Sequence, residues 1–160
     1  MRFPLPLLLV VAGLAACGPR VVDSADPCAA ATGEGVSVVE AWARPAAKGA
    51  TSAVYATICN RGTAADALIG ASSAAAGAVE LHESTRSETG VASMATLARL
   101  ALPSGGTASL QPGAAHVMLI GLKDAAESDS KISVTFTFEH SPAVTVFADV
   151  RPVGEAHSGH

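Results

Sequence analysis

The chain has 160 residues, of which 49% are hydrophobic, 15% charged and 4% aromatic, enough for one domain with a real core. Its formal net charge of −4 offers no broad basic surface, which argues against nucleic acid or an anionic lipid surface as a partner recognised by charge. Ala, Gly, Val, Ser and Thr dominate, a composition suited to short strands and turns rather than long helices.

The first element is an export signal. Met1-Arg2-Phe3-Pro4 leads into the apolar run Leu5 to Ala16, which is too short to span a bilayer and ends in small residues. Leu14-Ala15-Ala16-Cys17 resembles the lipobox of bacterial lipoproteins, in which the cysteine becomes the lipidated mature N-terminus. The other reading is an ordinary secretory signal with a chance cysteine. Residues 1–16 are thus expected to be a signal peptide. Cys17 is expected to anchor the protein to the outer face of the cytoplasmic membrane or within the periplasm. Residues 17–35, rich in Pro, Asp, Ala and Gly, read as a flexible tether. Cys28 and Cys59 remain, an even pair in an oxidising compartment, and a disulfide between them is expected. Unpaired thiols are the alternative.

The domain is expected over residues 36–153. Strands are predicted at Val36–Ala43, which holds the single tryptophan Trp42; at Ala53–Asn60; at Asp66–Ser72; and at Ala78–Ser84. In Val79-Glu80-Leu81-His82, Val79 and Leu81 share one face while Glu80 and His82 share the other. Val91–Leu97 returns after a polar hairpin loop. Thr107–Leu110 lies between the turns Pro103-Ser104-Gly105-Gly106 and Gln111-Pro112-Gly113. Ala115–Leu122 follows, then Ile132–Phe138, where Ile132, Val134, Phe136 and Phe138 alternate with polar residues, and finally Ala143–Val150. Eight or nine short strands without a convincing helix predict an all-β antiparallel sandwich.

The chemistry concentrates in four residues. His116 and Met118 are two apart on one predicted strand and face the same way, roughly 6.6 Å apart along it, with Val117 and Leu119 directed into the core. Imidazole suits copper and thioether favours Cu(I). His82 and Met94 lie upstream, and apart from Met1 the chain has no methionine outside this set. A His, a Met twelve positions on, then twenty-one intervening residues before His-x-Met is a pattern that resembles the PCuAC family of periplasmic copper chaperones. Ala41-Trp42-Ala43-Arg44-Pro45, Val79-Glu80-Leu81-His82-Glu83 and His116-Val117-Met118-Leu119-Ile120-Gly121-Leu122 also resemble that family. One departure is Glu83, where many members carry Met; on a strand it faces away from His82.

The resemblance implies a cupredoxin-like, Greek-key β-sandwich holding Cu(I) at an exposed site of His82, Met94, His116 and Met118. It implies delivery of copper to an acceptor copper protein such as cytochrome c oxidase subunit II, at its dinuclear centre; a monomer is expected. It also makes the short tail, residues 154–160, with His157 and His160, a candidate auxiliary site, Cu(II) being the ion such a pair would take. Four other functions compete with this one. Blue-copper electron transfer needs a cysteine beside the second histidine, and none is near. A hydrolase needs a nucleophile elbow, phosphate loop or carboxylate pair, and none stands out. A metal-free binding module leaves the placing of both internal methionines unexplained. Copper sequestration would use the same ligands without delivery.

Overall fold

Alternating apolar and polar residues drive the architecture. In the computed structural model, which describes residues 26–30, 33–87 and 89–153, ten strands follow one another. They are β1 (Val36–Ala43), β2 (Ser52–Asn60), β3 (Asp66–Ser72), β4 (Ala76–Arg86), β5 (Ala92–Thr96), β6 (Leu100–Leu102), β7 (Thr107–Leu110), β8 (Ala115–Leu122), β9 (Lys131–Phe138) and β10 (Val144–Val150). A single 3-10 turn, Pro27–Ala30, precedes them. The proposed signal peptide, Cys17, His157 and His160 lie outside the described residues.

The strands form one hydrogen-bonded path in the order β5-β4-β8-β2-β1-β10-β9-β3-β6, with β7 paired to β2. The path folds over, so that β3 packs against β4 and β6 against β7 without pairing. Between the two layers lie Ile58, Leu68, Leu102, Leu119, Val134 and Phe136, all fully buried. Each such side chain contributes about 1.5–3 kcal/mol through loss of contact with water. On β9, Ile132, Val134, Phe136 and Phe138 are buried while Lys131, Ser133 and Thr137 are exposed, the alternation a half-buried strand requires.

Two expectations need correction. The strands number ten, because Leu100–Leu102 pairs with β3 although three residues flanked by Arg99 and Pro103 give too little pattern to read. The sandwich is also not wholly antiparallel: β1 and β10 run parallel, with Trp42 opposite Asp149, while every other pairing among the described strands is antiparallel. That contact joins distant parts of the chain, and local pattern carries no trace of it.

Two features fix the surface on which the site lies. In β1 the pairing with β2 shifts between Val39 and Trp42, and Glu40 takes a left-handed φ of 54°. The bulge sets Trp42, rather than Ala41, opposite Tyr55, where the ring centroids are 4.5 Å apart. Arg151 lies over the Trp42 ring, 5.1 Å from its centroid. At the other end of β2, Cys59 is bridged to Cys28, with Cα atoms 5.8 Å apart and both residues buried. Arg61 donates to the Cys28 carbonyl. The segment expected to be tether is therefore held to the domain at residue 28.

Candidate metal centre

Register brings the singled-out residues onto one face. On β4 and β8, His82 stands directly opposite His116 and Glu80 opposite Met118; on β4 and β5, Ser84 stands opposite Met94. Directly opposed residues of an antiparallel pair share a face, as do residues two apart, so His82, Met94, His116 and Met118 all lie on the same side of β5-β4-β8. His82 is the hub, with His116 across from it and Met118 and Met94 on its two diagonals. Val117, Leu119 and Leu81 take the opposite face and enter the core, as their burial shows. Glu83 is opposite Ala115 and so faces away from His82.

The face continues past β8 onto β2 and β1. Met118 is opposite Ala53, and Tyr55, two residues on, lies 6.2 Å from His116 between ring centroids. The His82 and His116 rings are also 6.2 Å apart, edge to face. A cavity of about 410 Å³ opens here, lined by Met94, His116, Met118, Ser84, Tyr55 and Arg44 among others. Three of the four candidate ligands line it, and His82 is not among its lining residues. Exposure is graded rather than uniform, in contrast to the open site the resemblance implies. Met94 on β5 is 53% exposed, Met118 and His82 are half-buried, and His116 is 4% exposed.

The imidazoles are held by different contacts. His116 Nδ1 donates to the Ala114 carbonyl at 2.9 Å. His82 Nε2 lies 2.7 Å from Glu80 Oε2, a carboxylate oxygen that accepts. His82 Nδ1 is the one buried side-chain nitrogen or oxygen without a hydrogen-bond partner among the described residues. An unmet buried group of this kind costs about 1–3 kcal/mol, and a site that takes a cation is a physical reason for it to persist. Among the described residues no three His, Cys, Asp or Glu side chains gather as a metal site, and the donors that share this face are two imidazoles and two thioethers. Both described cysteines are committed to the disulfide, so neither supplies a thiolate for a blue-copper centre.

In the sequence Glu80 shares the His82 face, and its spacing of two from His82 is the one local signal of a part in the site. Tyr55 was read as a strand residue only, because its approach to His116 depends on the pairing of β2 with β8.

Residues 36–150 match the family model described as "Putative lipoprotein LpqE-like". The chain belongs to the LpqE-like family. A relative of this LpqE-like protein, "Putative lipoprotein Lxx21020" of Leifsonia xyli subsp. xyli, is 30% identical over 151 residues, covering 94% of this chain and 90% of the relative. Among solved structures, the copper-bound PCuAC domain from PmoF2 superposes with a TM-score of 0.63 at 24% identity, over 76% of this chain and 97% of that one. The apo PCuAC domain from PmoF1 gives 0.62 at 24%, over 73% and 93%. The solution structure of CuI-DR1885 from Deinococcus radiodurans gives 0.57 at 27%, over 82% and 87%. The LpqE-like chain thus has the cupredoxin-like β fold of PCuAC domains.

Proposed function

We propose that this LpqE-like protein is an exported, lipid-anchored carrier that binds Cu(I) through His82, Met94, His116 and Met118 and passes it to a copper-requiring acceptor. The observation that carries the reading is the register: a cross-strand histidine pair with a methionine on each diagonal, all on one sheet face. Two neutral thioethers and two imidazoles make a soft donor set that prefers Cu(I) to Cu(II). Thioethers also lack the thiolate whose oxidation makes cysteine a poor carrier ligand outside the cytoplasm. With no thiolate among its ligands, the site can yield its ion to an acceptor that has one. The likeness to DR1885, whose CuI form has been solved, supports the same ion.

The acceptor we propose is the dinuclear copper centre of cytochrome c oxidase subunit II, on the strength of the family resemblance. The decisive experiment mixes Cu(I)-loaded protein with the apo copper domain of that subunit and follows the metal. Transfer to the acceptor supports delivery. Retention on the LpqE-like protein at equal concentrations supports the second reading, sequestration, which uses the same ligands.

Anchoring at Cys17 and an auxiliary Cu(II) site at His157 and His160 belong to the same proposal. Replacing both tail histidines should leave Cu(I) binding intact and lower Cu(II) uptake, as measured by titration with each ion.

A further inference from the structure

The two histidines of the site are mirror cases. His116 Nδ1 faces a carbonyl, which has no proton to give, so Nδ1 carries the hydrogen and a neutral ring keeps its lone pair on Nε2. His82 is the reverse. Its Nε2 faces the Glu80 carboxylate, so Nε2 carries the hydrogen and the lone pair of a neutral ring falls on Nδ1. That Nδ1 is the buried nitrogen with no partner. Glu80 reaches the Nε2 side of the ring by simple geometry: two residues before His82 on β4, it shares the ligand face and stands opposite Met118.

We propose that His82 binds the ion through Nδ1 and His116 through Nε2, and that Glu80 is a positioning residue that fixes the His82 ring in that tautomer and orientation. The inference rests on the Cu(I) reading above. A carboxylate that accepts from the far nitrogen of a ligating imidazole both orients the ring and raises its basicity. The ring spacing agrees. An ion about 2.0 Å from one nitrogen of each ring would set their centroids roughly 5–6 Å apart, and they already stand 6.2 Å apart.

Silver(I), a soft ion with a spin-half nucleus, stands in for Cu(I) in the test. In nitrogen-labelled protein loaded with Ag(I), scalar coupling to silver should appear at His82 Nδ1 and His116 Nε2. Coupling at His82 Nε2 instead overturns the proposal while leaving the four-ligand site standing. Coupling to neither histidine overturns both. Before any metal is added, long-range proton–nitrogen spectra should show His82 protonated on Nε2 in the parent and a mixture of tautomers in Glu80→Ala. Cu(I) affinity, measured by competition, should fall about tenfold or more in Glu80→Ala, and Glu80→Gln should recover part of it, since its amide oxygen accepts the same hydrogen bond. If Glu80→Ala binds Cu(I) more tightly than the parent, Glu80 is a cap that copper must displace, and the positioning role is wrong.

Discussion

At the scale of single residues, the methionines and one aspartate give the clearest tests. Changing Met94 and Met118 together to Leu conserves most of their volume, and such exchanges usually cost less than about 1.5 kcal/mol each. The thermal transition should therefore stay close to that of the parent while Cu(I) affinity, measured by competition with a chromophoric chelator, collapses. A double variant that holds Cu(I) as firmly as the parent would make the thioethers ordinary packing residues. Asp66, at the start of β3, is a separate case. Burial alone would raise its carboxyl pKa. The Ser141 side chain and the backbone N–H groups of Ala67 (2.7 Å), His140 (3.0 Å) and Ser141 (2.9 Å) outweigh burial, lowering the pKa from 3.8 to about 2. A depressed folded-state value means that the stabilisation is complete above about pH 4 and is lost as pH falls toward 2. Thermal unfolding followed from pH 6 to pH 2 should show this acid decline, and Asp66→Asn should flatten it.

At the scale of elements, β5 is the weak member. All five of its residues are exposed, and it pairs on one side only, with β4. Its amides should exchange with solvent fastest among the strands of the site, and those of β8, paired on both sides, slowest. Hydrogen exchange resolved by residue checks this, and equal protection of β5 and β8 would contradict it. The same strands show what could be read in advance. Ile132, Val134, Phe136 and Phe138 declared β9 because period-two burial is written in side-chain type. His116 and Met118 declared their shared face for the same reason. The bulge in β1 was not legible, because nothing in Glu40 announces a positive φ. Nor was the step from four spaced residues to a cluster, which depends on β4 pairing with both β5 and β8. The intervals suggested that cluster only through resemblance to a family.

At the scale of the whole molecule, the disulfide sits at one end of β2 and the candidate metal centre lies beside the other. Cys59 lies near the end of β2, and Ala53, opposite Met118, near its start. Replacing Cys28 and Cys59 by Ser should lower stability by roughly 3–4 kcal/mol in the chain-entropy account. Cu(I) affinity should change little, since the bridge touches none of the four ligands. Denaturant unfolding paired with copper competition separates the two effects. The same bridge also sets a reach. A chain anchored at Cys17 and free up to Gly35 could span about 60 Å. With the domain bridged at Cys28, the proposed anchor at Cys17 would lie eleven residues away, a contour of at most about 36–40 Å. Under the proposed anchoring, the chain would join the domain at the disulfide end of β2 and turn that end toward the bilayer. The candidate metal centre would then ride about 20 Å further out, the length of six strand residues. A docking acceptor would meet the metal face from the side or from above, at a height that a single covalent bond has decided.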